Sequence, residues 1–588
     1  MYVKRHAVRR GRKRYVYLRL VQAYRDEQGR VRHRVLKTLG REDELKASGQ
    51  LEQLMGSFAR LDPPLVGVRR EVGALLLVWQ FVRELDLVGT VDRALPQRGR
   101  QQLSVGEVVL ALVASRLCSP SPLYDIAGWA SGAAVRELLG IPPQLLNDDR
   151  LGRALESFAV HAEHVRGLLA AAAIERFGAD AGRLHVDLTT VRVTGAYEGS
   201  ALVAKGWGSE RTVARQVRTL QAATADGVSL YVRPDPGNCS ELALVGASLE
   251  RLQRFARPGM LMVCDSALGK PKPLCAIDRA GLRFIVPLRA DTGFAERYLT
   301  ELGPGALRPI RHVAERERRL PAGKRTRYRG ALRDWEIEDP ETGQPRRLRV
   351  AYIRSSEEQA QVAAARERAL QKAEEQLRRV HNGLGGRYYK TKTQVERRVG
   401  QIVGTNIQGL ITVNVGPARG GKPTLAWERD QRAIAQAART DGIYALATNL
   451  PGRLTAGRVL RLYKDQEVVE RRHRDLKQTL KVRPIFLHND DRVYALISIV
   501  GIALLIFGLI ETSVRQALEH DPGHEHKLLP LLPEGRLAKP TGANILAAFQ
   551  GLDLTYTNRG PELDPLTPTQ QRILELLRIQ PPWRTRER

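Results

Sequence analysis

The sequence predicts an α/β protein in which a mixed β-sheet is flanked by helices. Residues 67–180 show apolar side chains at the i, i+3, i+4 spacing that is typical of amphipathic helices. From residue 183 the pattern changes to short apolar, strand-like runs that alternate with helical stretches. At 588 residues the chain also exceeds what one hydrophobic core usually holds, so we expect several domains.

The N-terminal region, residues 1–66, is predicted to contain a basic β-hairpin. Residues 14–39 alternate in a strand-like way around the turn sequence Asp26-Glu27-Gln28-Gly29. The first 41 residues hold fourteen Lys and Arg against only two acidic residues. We expect this hairpin to contact phosphates, and the alternative is a small structural cap.

The helical region, residues 67–180, is interpreted as a DNA-binding or linking domain. Ser104 and Glu107 have the spacing of a capping box, and Asn147 precedes another helix as an N-cap. The helix pair around residues 119–122 is compatible with a helix-turn-helix, although many helical pairs share this pattern.

The overall charge favours a polyanionic partner. Lys and Arg number 94 against 64 Asp and Glu, a formal net charge of +30. A surplus of this size points first to nucleic acid and second to an anionic membrane surface. The apolar run at residues 493–510 is long enough to cross a bilayer, but it follows a charged helix and no second span accompanies it, so we expect a buried core helix.

Four cysteines without paired spacing give neither a disulfide framework nor a zinc site. The start of the chain also lacks the apolar core of a signal peptide. Both features predict a cytoplasmic protein, associated with the nucleoid if DNA is its partner.

The strand order predicted after residue 183 is that of a ribonuclease H-like core. Residues 181–290 read as three antiparallel strands followed by alternating helices and parallel strands, and residues 441–515 as a further strand and helices. The expected core is a mixed five-stranded sheet. Residues 291–440 interrupt it as an insertion, and residues 516–588 form a C-terminal helical region.

Two aspartates interrupt apolar strands of this core. Asp187 lies in RLHVDLTTVRVTG, and Asp265 follows MLMVC. A buried carboxylate is costly unless it is paired, caps a backbone end or binds a cation. Because the first and fourth strands of such a sheet are neighbours, we expect both acids to face one point, with strand-end capping as the alternative for each of them alone.

Tyr463, Glu470 and Lys477 are spaced seven residues apart in YKDQEVVERRHRDLK. On one α-helix this spacing places all three on the same face, close to Arg471 and Arg474. Glu470 would then be the third ligand of a two-Mg²⁺ site with Asp187 and Asp265, a cage suited to in-line attack at a phosphodiester. The alternative is a solvated, salt-bridged helix.

In this order, the motifs resemble those of insertion-sequence DDE transposases, in the bacterial and archaeal branch with a Tyr-Arg-Glu-Lys signature. Tyr463, Glu470 and Lys477 match that signature, while Gln466 replaces its Arg. HVDLTT, VCDSALGK, PGNCSE, DGIYALATN and LKVRPIFLHNDDRV are also similar to family motifs. The resemblance covers residues 10–515.

The resemblance implies an enzyme that binds the terminal inverted repeats of its element, cuts there and joins the ends to target DNA. It implies Asp187, Asp265 and Glu470 as catalytic metal ligands, two Mg²⁺ ions with Mn²⁺ as a substitute, and a homodimer or larger assembly on DNA. It also implies a largely β insertion and DNA contacts by Tyr463 and Lys477, to which helix position adds Arg471 and Arg474. The alternatives are an inactive, domesticated DNA-binding descendant and a structure-specific nuclease on the same fold.

Overall fold

The structure is a computed structural model. It describes residues 2–11, 13–25, 31–48, 50, 66–96, 102–207, 212–239, 259–302, 304–314, 317–318, 320–404, 407–420, 422–465, 467–482, 485, 487–521 and 527–586. The chain divides into two compact units. The first comprises Met1–Arg70, Asp553–Pro565 and Trp583–Arg588, and the second comprises Glu71–Leu552 and Leu566–Pro582.

The first unit contains an antiparallel sheet of three N-terminal strands and one short helix, β1 (Tyr2–Arg10), β2 (Lys13–Arg25), β3 (Val31–Arg41) and α1 (Glu42–Ala47). The predicted hairpin corresponds to β2 and β3, with Leu20 opposite Lys37. Its predicted turn at residues 26–29 lies outside the described residues. The additional strand β1 pairs with β2, so the region is a three-stranded sheet.

The C-terminal region was expected to be helical, but it contains strands as well as helices. Its elements are β17 (Leu529–Pro530), β18 (Leu537–Ala538), α16 (Gly542–Ala547), β19 (Asp553–Thr557), β20 (Gly560–Leu563), α17 (Pro568–Leu576) and β21 (Arg584–Thr585). A four-stranded sheet in the order β21-β20-β19-β4 includes β4 (Arg69–Glu71). Strands too short to show an alternating pattern, such as β21, gain their partners only through the tertiary fold.

The helical region has the predicted helix signals. Its helices are α2 (Leu75–Glu84), α3 (Leu87–Ala94), α4 (Val105–Cys118), α5 (Ile126–Gly132), α6 (Val135–Leu139) and α7 (Asp148–Phe177). Ser104 and Glu107 form the predicted capping box at α4. The Asn147 side chain accepts a hydrogen bond from the backbone N–H of Arg150 and caps α7, as predicted.

The central sheet has ten strands, where five were expected. Its strands are β5 (Arg183–Arg192), β6 (Ala204–Trp207), β7 (Val213–Thr224), β8 (Ser229–Pro236), β9 (Leu261–Cys264), β10 (Arg283–Pro287), β11 (Arg308–Ile310), β12 (Tyr328–Glu338), β13 (Pro345–Ser355) and β16 (Ile443–Thr448). The order is β11-β12-β13-β16-β10-β9-β5-β7-β6, and β8 also pairs with β7.

Within this sheet, β5, β7, β8, β9 and β10 correspond to the five expected strands, and the first of them, β5, lies beside the fourth, β9. Strands β5, β9 and β10 are parallel, and β7 and β8 are antiparallel. The additional strands come chiefly from the insertion. Buried side chains on β13, among them Val350 and Tyr352, let it pair with β16 and widen the sheet.

The insertion is mixed rather than largely β. Besides β11–β13 it contains α9 (Phe294–Glu301), α10 (Ser356–Asn382), α11 (Lys392–Ile402), β14 (Ile411–Arg419), β15 (Lys422–Arg429) and α12 (Gln431–Ala438). The predicted charged helix at residues 357–380 is present as α10. Its buried Leu370, Ala373, Leu377 and Val380 recur at helical spacing, which explains why this segment is not a strand.

The remaining helices surround the sheet: α8 (Pro271–Arg279), α13 (Ala456–Lys464), α14 (Glu467–Arg474) and α15 (Asp490–Glu519). The most apolar 18-residue window of α15 is 94% buried inside the protein, although the helix is long and apolar enough to cross a membrane. It lies against β8, where a Cβ on Gly501 would be 2.7 Å from Val232. The apolar run is therefore a core helix, as expected.

Candidate active site

Asp187 and Asp265 lie side by side on neighbouring strands. Val186 of β5 pairs in parallel with Cys264 of β9, so the next residue of each strand is an aspartate. Adjacent strands are about 4.8 Å apart, which brings the two carboxylates to one edge of the sheet. The predicted adjacency therefore follows directly from the strand register.

Each aspartate is oriented by the backbone. Asp187 Oδ1 accepts a hydrogen bond of 2.8 Å from the N–H of Leu188. Asp265 Oδ1 accepts one of 3.0 Å from the N–H of Ala267 and caps the short 3-10 turn Ser266–Leu268. The capping role considered from the sequence is thus present at Asp265, together with its position beside Asp187.

The segment that carries Tyr463, Glu470 and Lys477 is not one continuous helix, and that prediction was wrong. Tyr463 is on α13, which ends at Lys464, and Glu470 is on α14. Lys477 lies in a π-helical turn, Asp475–Thr479. Gln466 is outside the described residues. Because tertiary contacts fix α13 and α14 separately, the seven-residue spacing does not determine a common face.

The Tyr463 side chain is half-buried on α13. Burial is the largest cause that raises the pKa of its phenol to about 12, and the charges of Asp265, Glu358, Glu470 and Asp187 contribute in that order. All three predicted catalytic acids therefore act electrostatically on this hydroxyl, although Glu470 itself is exposed on α14.

His473 is a site residue that the sequence reasoning missed. Its Nδ1 lies 3.4 Å from Asp187 Oδ2, and the residue is 8% exposed. Burial, followed by the charge of Lys477, lowers the pKa of His473 to about 3. The contact therefore joins a neutral imidazole to a carboxylate rather than forming an ion pair. The sequence did show a histidine three residues after Glu470, and residues three apart are neighbours on the surface of a helix. This spacing could have indicated that His473 lies close to the site.

The predicted DNA-contacting cations differ in their surroundings. Arg471 Nη2 is 3.9 Å from the buried Glu511 carboxylate, whereas Arg474 is exposed and has no ion pair within the described part of the chain. Lys477 is half-buried, and its charge lowers the pKa of His473, the residue that contacts Asp187. Arg474 is thus exposed and Lys477 lies near His473, whereas the Arg471 guanidinium faces the buried Glu511 carboxylate.

Arg472, between these residues, anchors α14. It is 0% exposed, and its Nε donates to the carbonyl of Gly227 at 2.6 Å. Its Nη1 donates to Asp475 Oδ2 at 2.9 Å and to Glu511 Oε2 at 3.1 Å. Gly227 has φ 102° in the tight β7–β8 turn, a backbone conformation that favours glycine. The catalytic segment is therefore fastened to both the sheet and α15.

The three acids do not form a complete metal-binding group as they stand. Over the described ranges, no set of three His, Cys, Asp or Glu side chains is arranged to hold a metal ion. Gln221, directly opposite Asp187 on β7, is buried and its Oε1 has no hydrogen-bond partner among the described residues. Two adjacent carboxylates and an unsatisfied amide oxygen are oxygen donors of the kind that Mg²⁺ prefers.

Comparison with protein-family models gives three matches along the chain. Residues 3–63 match the N-terminal domain of the IS1634 family transposases, and residues 68–171 match a domain of unknown function, DUF4277. Residues 179–506, more than half of the chain, match the transposase DDE domain, which implies a ribonuclease H-like fold and a general dependence on divalent metal. Comparison with curated proteins gives no match. The chain belongs to the DDE transposases of insertion sequences.

Proposed function

We propose that this transposase binds the terminal inverted repeats of its insertion sequence and carries out Mg²⁺-dependent strand cleavage there, followed by strand transfer into target DNA. The observation that supports this proposal most strongly is the pairing of Asp187 with Asp265 at one sheet edge. Glu470 and these two acids all contribute to the raised pKa of the half-buried Tyr463 phenol.

Asp187, Asp265 and Glu470 are proposed to hold two Mg²⁺ ions, with Mn²⁺ as a substitute. When bound, the ions would activate the attacking water or 3′-hydroxyl and stabilise the leaving oxygen. The two aspartates are held by the backbone and form the fixed part of the site. Because Glu470 is exposed on the short helix α14, we infer that DNA and metal together bring it in as the third ligand.

The cations of the same segment are proposed to hold the DNA. The Tyr463 hydroxyl keeps its proton at neutral pH, because its pKa is about 12. It can therefore donate a hydrogen bond to a phosphate oxygen, as can the Lys477 ammonium. Arg474 is exposed and can neutralise a phosphate further from the acids. Arg471 stays a prediction, since its guanidinium is shared with Glu511.

Part of the DNA binding is assigned to phosphate contacts by the basic N-terminal sheet. Lys4, Arg9, Arg34 and Lys37 are exposed on β1 and β3, and the described residues give none of them an ion pair. Such unpaired cations favour contacts with phosphates and release of counterions. Two ends must be held together for transfer, so we propose a homodimer or larger assembly on DNA and a cytoplasmic, nucleoid-associated location.

The test is strand cleavage of a labelled terminal-repeat duplex by Asp187→Asn, Asp265→Asn and Glu470→Gln variants. Each is expected to lose cleavage and to keep binding, because only the metal ligands change. Asp334→Asn is the matched control, since Asp334 is exposed on β12 and has no ion pair within the described ranges. Cleavage by all three variants would refute the assignment of the acids.

The second candidate, a catalytically inactive DNA-binding descendant, would be expected to have lost one of the three acids, and Asp187, Asp265 and Glu470 are all present. It predicts that the unaltered protein binds the repeats without cutting them. A structure-specific nuclease would instead cut duplexes with and without the repeats equally well.

A further inference from the structure

Residues 356–430 form a structural arm with its own hydrophobic core. The arm consists of α10, α11 and the β14–β15 hairpin. Buried apolar side chains from all of these elements meet in one cluster, which contains Leu370, Ala373, Leu377, Val380, Val395, Ile402, Ile407, Ile411 and Leu425. Arg429 of β15 binds both Glu374 oxygens at 2.9 Å and so fastens the hairpin to α10.

The arm begins beside the catalytic acids. Strand β13 is antiparallel to β16, which is antiparallel to β10, so β13 runs in the same direction as β5 and β9. Helix α10 follows β13 and therefore leaves the sheet at the edge where Asp187 and Asp265 lie. Glu358, in its first turn, acts on the Tyr463 phenol together with the catalytic acids.

An ion pair holds the start of the arm in place, and the length of α10 sets the length of the arm. Arg366 of α10 binds both carboxylate oxygens of Asp441, which is 5% exposed. With 27 residues, α10 is about 40 Å long at 1.5 Å per residue. Duplex DNA rises about 3.4 Å per base pair, so a duplex that runs along α10 would cover roughly 12 base pairs between the two ends of the helix.

The far end of α10 is a compact basic loop. We call residues 383–392 together with Lys422 the arm tip. The loop contains three Lys or Arg and no acidic residue. Backbone hydrogen bonds between Gly385 and Tyr389 and between Tyr389 and Gly386 order it. A Cβ on Gly385 would lie 2.8 Å from the Lys422 side chain, so Lys422 belongs to the same surface.

The exposed side chains of the arm tip suit a nucleic acid. Tyr388 is 74% exposed, and the Arg387 guanidinium lies 5.8 Å from the centre of its ring. In the part of the chain that the structure describes, Arg387, Lys390 and Lys422 form no ion pair, whereas Lys392 is 3.6 Å from Glu396. Unpaired cations around an exposed aromatic ring are typical of a surface that contacts phosphates and sugars.

We propose that the arm tip binds the phosphate backbone of the element end held in the active site, about 12 base pairs from the cleaved phosphodiester. Charge complementarity supports this occupant, and so does the emergence of α10 at the catalytic edge. This inference rests on the proposed function, because it requires DNA at Asp187 and Asp265. It assigns to the arm a contact that anchors DNA at a distance from the chemistry.

The test compares two double variants of the full-length protein on a terminal-repeat duplex. Arg387→Ala with Lys390→Ala removes two tip cations. Arg368→Ala with Lys372→Ala is the matched control, because both residues are exposed on the surface of α10, lack ion pairs among the described residues and lie about 15 Å or more before its end.

The tip variant is expected to lose hydroxyl-radical protection about 12 base pairs from the cleavage site. Its plot of log affinity against log salt should become shallower by about 2, since each phosphate contact contributes roughly 0.9 to the slope. Tyr388→Ala should weaken binding without changing the slope, because it removes no charge. The control variant should keep both the protection and the slope of the unaltered protein.

Four results would overturn the proposal. Three concern DNA: unchanged protection in the tip variant, an equal loss of slope in the control, or a defect confined to target DNA. The fourth is a defect in self-association without DNA, which would assign the tip to a second copy of the chain. Failure of the proposed function looks different, because the unaltered protein would then not cut the repeats at all.

Discussion

Replacing Arg472 by methionine should loosen the segment that carries Glu470. The guanidinium is 0% exposed and joins three elements, through Gly227, Asp475 and Glu511. Removing one partner of a buried ion pair costs about 3–5 kcal/mol, because the other charge is left without compensation.

We expect a loss near the lower end, about 3 kcal/mol, because Glu511 keeps other partners. Arg515 forms an ion pair with Glu511 Oε1, and the N–H of Gly542 donates to its Oε2 at 2.8 Å. Strand cleavage should fall more steeply than DNA binding, since α14 loses its attachment while the acids themselves remain.

The assay is urea unfolding of the full-length protein, followed by cleavage of a terminal-repeat duplex at a temperature where both proteins are folded. Arg474→Met is the control for stability. Arg474 is exposed two residues away, and its replacement should change the free energy of unfolding by less than about 0.5 kcal/mol. Equal stability of Arg472→Met and the unaltered protein would refute the anchoring role.

Three further predictions follow from the site and its surroundings. His473→Ala should raise the Mn²⁺ concentration that half-saturates the protein–DNA complex by about tenfold, measured by titration calorimetry. His473→Asn should restore much of the Mn²⁺ affinity, because its amide can donate to Asp187. Equal Mn²⁺ affinities of the two variants and the unaltered protein would contradict this role. Burial opposes ionisation of Glu511, but Arg472 and Arg515 lower its pKa below the ordinary value of 4.5. Between the folded and unfolded pKa values of Glu511 the unfolded state binds more protons than the folded state. The stabilisation from ionised Glu511 is therefore present above about pH 4.5 and is lost as the pH falls through the folded pKa. Unfolding curves of Arg472→Met should depend less on acid pH than those of the unaltered protein. Deleting residues 1–41 should weaken DNA binding and flatten its salt dependence, whereas an unchanged slope would make the N-terminal sheet a structural cap.

The parts of the site that depend on strand pairing could be predicted from the sequence. Asp187 and Asp265 each follow an apolar run, and the parallel pairing of β5 with β9 places the two residues side by side. The caps at Ser104 and Asn147 were also readable, because a cap depends on residues within one turn. The family model that matches residues 179–506 confirms the resemblance drawn from these motifs.

The parts that depend on long-range contacts could not be predicted. Periodicity suggested one α-helix from Tyr463 to Lys477. Instead, Arg472 forms hydrogen bonds with Gly227 and Glu511, and the regular α-helix is interrupted after α13 and again at the π-helical turn. A run of charged residues gives no sign of which one is buried, so the roles of Arg472 and His473 were missed. The widening of the sheet by β11–β13 likewise depends on which edge strand they meet.

The central claim is that Asp187, Asp265 and Glu470 share divalent ions beside a DNA strand. Crystals of the protein with a terminal-repeat duplex and Mn²⁺ would test it directly by anomalous scattering at the manganese edge. If the three acids share the ions, anomalous peaks should lie within about 2.5 Å of carboxylate oxygens from all three residues. Peaks that touch only the two aspartates, or lie elsewhere while Glu470 points into solvent, would contradict it.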